Sequence, residues 1–249
     1  MRNCENPLPR MMNQLPSRTR NDMTALNMET RDLILLATLP HVVFEGWTRA
    51  ALQAGVDDLG DLPGIGGMAG ERAFPGGMAD LAGHFSNWAD RRMVAEMAKR
   101  DLAALRVRDR IASGVRVRLE ALAPHREAVR RLLGFLAWPQ NASLVLSNGY
   151  QTVSEIWYAA GDESTDFNFY TKRALLAPVL ASTTLYWLSD EGDEAGDFPQ
   201  TWDFLDRRIA DVLKIPPFKA KLIKRLAEIP TPASIARRFA TAVRARQQY

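Results

Sequence analysis

With 249 residues, 47% of them hydrophobic and 24% charged, the chain can bury a sizeable core and lacks the composition of a disordered tail. Lys and Arg number 32 against 29 Asp and Glu, so the net charge is only +3 and what matters is where the basic excess sits. Cys4 is the sole cysteine, which excludes an internal disulfide and a thiolate metal site, and no apolar run approaches the roughly 18 residues needed to span a bilayer.

Residues 1–28 read as a disordered leader. Arg2, Arg10, Arg18 and Arg20 give it some transit-peptide character, whereas Glu5, Asp22 and three prolines fit an extension ahead of a later start at Met23 or Met28. Helical spacing of Leu33, Leu36, Ala37, Val43 and Phe44 predicts a first helix over 29–44, with Pro40 late in it, and a second follows over 47–57. The stretch 60–77 holds seven glycines and two prolines and reads as loop. Two short helices and a third short element make 29–90 a helix-turn-helix skeleton.

That skeleton is degenerate as a DNA reader. Glu45, Asp57, Asp58, Asp61, Glu71 and Asp80 outnumber Arg49 and Arg72 where phosphates would need attraction. Gly64, Gly66, Gly67 and Gly70 break the would-be reading helix. The same glycines imitate a dinucleotide loop, but no strand precedes them.

Further helices are predicted over 78–105, 107–123, 125–137 and 141–160, separated at Arg106, Pro124 and Pro139. The arginines between Arg91 and Arg131 alternate with Glu96, Asp101, Asp109 and Glu120, a mixture that suits a solvated face. His41, His84 and His125 stand apart and suit capping or surface positions better than a metal site. No nucleophile motif stands out, so the chain reads as non-catalytic and cofactor-free.

Asp162 to Asp166 is a polar break in which Ser164, Thr165 or Asp166 can cap a long helix from Phe167 to about Leu188, apolar on most sides and containing Pro178. The acidic loop Asp190, Glu191, Asp193, Glu194, Asp197 lacks calcium-loop spacing and reads as solvated. Helices over 198–214, 217–228 and 232–247 complete an all-α chain of about ten helices. The last one carries Ile235, Phe239 and Val243 beside Arg237, Arg238, Arg244 and Arg246, with no acid after Glu228. An apolar stripe with a basic remainder suits an anionic membrane surface, or packing on the body or a second subunit.

At "EIWYAAGDESTDFNFYTKRALLAPVLASTTLYWLSD" and "DFPQTWDFLDRRIADVL" the chain resembles the ninth Coq family, lipid-binding accessory proteins of ubiquinone (coenzyme Q) biosynthesis. "LPHVVFEGWTRAAL" and "VRVRLEAL" add to a resemblance covering about 29–215. It implies a fold like that of the TetR regulators, used as a homodimer that holds an isoprenoid lipid or quinone intermediate and reads no nucleic acid. A TetR-like DNA-binding regulator with a lipophilic effector is the alternative.

The resemblance also implies a patch that docks the di-iron demethoxyubiquinone hydroxylase, here Glu155, Ile156, Asp166, Asn168, Phe169, Tyr170 and Arg173, with ordinary helix packing as the other account of Phe169 and Tyr170. A lipid cavity walled by Leu176, Val179, Leu180, Thr183 and Trp187 is expected beside it, Thr183 or Ser182 offering a polar contact. Membrane contact falls to Ile235, Arg237, Arg238, Phe239, Val243 and Arg244. The organisation expected is a leader over 1–28, a degenerate helix-turn-helix region over 29–90 continuous with a lipid-binding and dimerisation core over 91–214, and a C-terminal amphipathic segment over 215–249. The leader favours the bacterial cytoplasm, peripheral to the inner membrane, with the mitochondrial matrix side as alternative.

Overall fold

The computed structural model describes residues 17–60, 65, 67–162 and 167–213, with all side chains in those ranges except 17–26, 167–169 and 213. Every regular element among the described residues is helical: α1 (Ser17–Glu45), α2 (Arg49–Asp58), α3 (Ala69–Ala73), α4 (Gly77–Met97), α5 (Val107–Leu122), α6 (Arg126–Leu136), α7 (Ala142–Ala159), α8 (Phe167–Ser189) and α9 (Pro199–Leu213), with single 3-10 turns at Ala123–His125 and Pro139–Asn141. The all-α class is therefore as the apolar periodicity predicts. Helices expected beyond residue 216 lie outside the described residues.

Two element boundaries differ from expectation. Helix α1 starts at Ser17, inside the segment read as leader, because no Pro or Gly interrupts the chain between Ser17 and Pro40. Helix α4 stops at Met97, the last buried residue of its stripe, and not near 105. Ala98, Lys99 and Arg100 are exposed, and a helix without an apolar face to bury loses its main source of stability.

The chain divides into two compact units, residues 1–102 with 113–156, and residues 103–112 with 157–249. In the first unit α1 packs against α2, α3, α4 and α6. Its core holds Ile34, Leu35, Leu39, Val42, Leu52, Val56, Leu81, Phe85 and Met93. Trp47 stacks obliquely on Phe85 at 5.6 Å and donates Nε1–H to the Ala128 carbonyl at 3.2 Å. Thr48 caps α2 by accepting the Ala51 N–H. Helix α3, the third element of the would-be helix-turn-helix, has only five residues, and its Gly70 lies so close to Leu52 and Val56 that an added Cβ would sit 3.1 and 3.3 Å from them.

Buried polar groups in this unit overturn two surface assignments. Arg118, expected on a solvated face, is 9% exposed and donates to Asp90, and His84, expected as a cap or surface group, is 5% exposed with Nε2 at 2.7 Å from Asp32 Oδ1. Alternating charge signs on a helix do not say which member turns inward to meet a buried acid on another helix.

In the second unit α8 packs against α9. Tyr186 stacks on Phe204 at 4.5 Å and Trp187 meets Phe198 edge-on at 6.0 Å. Pro178 lies on the exposed side of α8, which runs on through it, and Ser182 donates to the Pro178 carbonyl. The acidic loop is not simply solvated. Asp190, 9% exposed, accepts the Thr201 N–H at 3.0 Å and its hydroxyl at 2.6 Å, so it satisfies an orphan donor in the first turn of α9 from eleven residues away. Asp197 accepts the Trp202 indole N–H at 2.7 Å.

Candidate functional site

The apolar positions of α8 that recur at helical spacing, Lys172 (through its stem), Leu175, Leu176 and Val179, fall on one face. Facing them are Val107, Arg108 and Ile111 from the first turns of α5, Trp157 near the end of α7, and Ile209 and Val212 from α9. All ten belong to the second unit. Together they line a half-open cavity of about 450 Å³, within the roughly 300–1,000 Å³ usual for small-molecule sites, whose wall is almost wholly hydrocarbon.

Of the five residues expected to wall a lipid cavity, Leu176 and Val179 are among those that line this one. Leu180 is half-buried and outside the lining, and Thr183 and Trp187 are fully buried beyond it, Trp187 against Phe198. The stripe was legible in the sequence, but its last two members are buried away from the cavity. The facing residues were not foreseen. Their signal was present as i, i+4 apolar pairs in α5 and i, i+3 in α9, but nothing in the sequence says which helix starts lie opposite α8.

The two charged lining residues each have a carboxylate nearby. Lys172 Nζ is 2.6 Å from Asp162 Oδ1 and 5.2 Å from the centre of the Trp157 ring. Arg108 Nε is 3.3 Å from Asp109 Oδ1.

The expected docking residues separate by exposure. Tyr170 is 63% exposed, Glu155 is half-buried, and Ile156 and Arg173 are buried at 0% and 2%. Arg173 lies 5.1 Å from the ring centre of Tyr158 and 3.9 Å from Asp162 Oδ2, so its contact with solvent is closed off by its own unit. Tyr158, whose ring Arg173 faces, is 54% exposed and was not among the expected docking residues. Asp166 lies outside the described residues, as do the side chains of Asn168 and Phe169, whose backbones form the first turn of α8. Ile235, Arg237, Arg238, Phe239, Val243 and Arg244 likewise lie outside the described residues. Among the described residues no helix is long and apolar enough to cross a membrane.

The COQ9 family model matches residues 142–216, which include seven of the ten cavity residues: Trp157, Lys172, Leu175, Leu176, Val179, Ile209 and Val212. The chain is similar to the mitochondrial ubiquinone biosynthesis protein COQ9 of Drosophila melanogaster, 33% identical over 189 residues, 74% of this chain and 56% of that protein. It is 34% identical to the COQ9 protein of Rattus norvegicus over 202 residues, 78% of this chain and 62% of the relative. A probable ubiquinone biosynthesis protein coq9 of Dictyostelium discoideum is 28% identical over 197 residues, 77% of this chain and 62% of its own length. The chain thus spans about three fifths of the length of these relatives.

Proposed function

Because residues 142–216 belong to the COQ9 family, we propose that this chain is a non-catalytic accessory protein of ubiquinone biosynthesis that binds an isoprenoid quinone intermediate and presents it to the di-iron hydroxylase of the pathway. The observation that carries the lipid-binding part is the 450 Å³ cavity, with walls of Val107, Ile111, Leu175, Leu176, Val179, Ile209 and Val212. An isoprenoid chain entering it leaves water for hydrocarbon at both surfaces, which favours binding by about 25 cal/mol for each Å² of apolar area covered. The half-open mouth leaves one end of such a ligand within reach of a partner enzyme.

Presentation requires a docking surface, and Tyr170 with Tyr158 supplies the exposed aromatic area that such surfaces use. The buried Arg173 supports this corner from beneath, acting through Tyr158 and Asp162 instead of touching a partner itself. A homodimer working at a membrane surface fits the same role. The relatives are named mitochondrial, which supports the matrix side for this chain as well.

Native mass spectrometry of purified protein offered a short-chain prenylated benzoquinone tests the reading. Uptake by the wild type and its loss in Val179→Trp, which fills the cavity, is the expected result. Failure of the wild type to retain any quinone or isoprenoid, whether co-purified or added, would sink it.

A further inference from the structure

We propose that the α6–α7 corner is a membrane-contact surface, with Trp138, Val145, Leu146 and Tyr150 entering the interfacial region of an anionic bilayer while Arg130 and Arg131 stay at its headgroups. It rests on the role at a membrane surface proposed above, and is built of residues that belong neither to the cavity, nor to the tyrosine corner, nor to the C-terminal segment. Residues 132–154 contain no charged side chain, the longest such run in a chain that is 24% charged. Much of that run is open to solvent. Trp138 is 63% and Leu146 66% exposed, and Val145 and Tyr150 are exposed as well. Scattered apolar residues on a surface are ordinary, but a contiguous set marks a docking face.

The set is contiguous by helical spacing. Ala142, Val145, Leu146, Gly149 and Tyr150 recur at i, i+3, i+4, i+7 and i+8, one face of α7. Leu144 and Asn148, on another face, lie against α4, 3.5 and 3.9 Å from where a Cβ at Gly83 would stand. Trp138 stands in the turn just ahead of this helix, and that turn is held from within: Asn141 donates its side-chain N–H to the Phe135 carbonyl at 2.7 Å and its backbone N–H to the Trp138 carbonyl at 2.9 Å. A corner tied in this way brings fewer open backbone valences to hydrocarbon, where each one is costly. The two turns before the uncharged run hold three arginines and one acid. Arg130 and Arg131 lie 3.0 and 3.4 Å from the same carboxylate, Glu127, so the rim keeps a net positive charge that complements anionic headgroups. A protein interface carries charged side chains at its polar rim, whereas a bilayer penalises each charge that enters it, so the unbroken absence of charge over 132–154 favours lipid. Trp and Tyr, apolar rings with a polar edge, suit the boundary between the two media.

Flotation of the full chain with vesicles of equal parts phosphatidylcholine and phosphatidylglycerol, and with phosphatidylcholine alone, tests this surface. Wild type should bind the anionic vesicles more tightly, and the double variant Trp138→Ser, Leu146→Ser should weaken that binding about tenfold. Its thermal midpoint should not change, since both side chains already stand in water. Arg130→Gln with Arg131→Gln should narrow the preference for anionic over neutral vesicles. A bimane dye on Leu146→Cys, in a Cys4→Ser background, should shift to the blue with vesicles and be quenched by lipids carrying a nitroxide on the acyl chain. An unquenched dye together with unchanged vesicle binding by the serine variant would overturn the proposal and leave the membrane role to another surface. Loss of hydroxylase binding or of self-association in the serine variant, with vesicle binding intact, would assign the face to a protein and overturn it too. Wild type that binds neither kind of vesicle would instead overturn the membrane role itself, and this surface with it.

Discussion

Arg118 Nε donates to Asp90 Oδ1 at 2.7 Å, with the two side chains only 10% and 4% exposed. The remaining valences are met locally: Thr152 Oγ1 donates to Asp90 Oδ2 at 2.9 Å and Arg118 Nη2 reaches Ser86 Oγ at 3.0 Å. Removing one partner leaves the other charge buried and unpaired, which costs about 3–5 kcal/mol. Arg118→Ala and Asp90→Ala should each lower the thermal midpoint sharply. Replacing both charges by apolar residues of similar volume should cost much less than either single change. Single variants as stable as wild type would show that water, and not the partner, solvates the surviving charge.

Helices α1 and α2 approach so closely at Gly55 that a Cβ there would lie 2.5 Å from Thr38 Oγ1, 2.6 Å from its Cα and 2.7 Å from its N. Two of those atoms are backbone, so no side-chain rotation relieves the clash. Gly55→Ala should destabilise by at least the roughly 1–3 kcal/mol typical of overpacking, read as a lower urea midpoint. Gly134, in α6, has nothing within 4 Å of its added Cβ. Gly134→Ala should therefore stabilise by about 0.5–1 kcal/mol, since alanine lowers only the freedom of the unfolded chain. Equal responses at the two positions would contradict the close packing of α1 on α2.

Such contrasts mark what the sequence discloses and what it withholds. Apolar periodicity and proline positions place α2 and α5 to α9 within a residue or two, because those signals are local. Gly55 and Gly134 are indistinguishable in the chain, since one needs its missing Cβ only by virtue of Thr38, seventeen residues away. The site behaves likewise. Leu176 and Val179 were legible as a stripe of α8, whereas Trp157 and Ile111 entered only once α5, α7 and α9 had been brought opposite. Arg118 and Asp190 were misassigned for one reason: a charged residue beside exposed charges is buried only if a distant acid or an open helix end receives it.

Two histidines make stability depend on pH. Burial first, and then the neighbouring Arg31, hold His84 below the ordinary imidazole value of 6.5 against the opposing pull of its hydrogen bond to Asp32, and burial together with Arg92 holds His125 below it too. In each case the folded state resists a proton that the unfolded chain accepts. The unfolded state therefore binds more protons as pH falls below about 6.5, and stability decreases in that direction. Urea midpoints should drop between about pH 7.5 and pH 5.5, and the drop should be smaller in His125→Gln, which removes one of the two groups. A midpoint constant across that window would mean that neither imidazole is held neutral by the fold, and an identical slope in the variant would mean that His125 is not.

The proposed docking corner can be separated into contact and support by exposure. Tyr170 and Tyr158 stand 63% and 54% exposed, so truncating either removes little from the interior, whereas Arg173 is 2% exposed beneath Tyr158. Tyr170→Ala and Tyr158→Ala should each weaken binding of the hydroxylase about tenfold, the scale of an aromatic hot spot, with unchanged thermal midpoints. Arg173→Ala should lower both affinity and midpoint, because it leaves Asp162 with one cation fewer and Tyr158 without its support. Arg173→Lys keeps the charge but lacks the planar fork that lies against the tyrosine ring, so it should recover midpoint more than affinity. Surface plasmon resonance and differential scanning calorimetry on the same preparations supply the two readouts. If Arg173→Ala reduced affinity at an unchanged midpoint, the arginine would be a contact residue after all, and the closed corner seen around Asp162 would have to open when the partner binds.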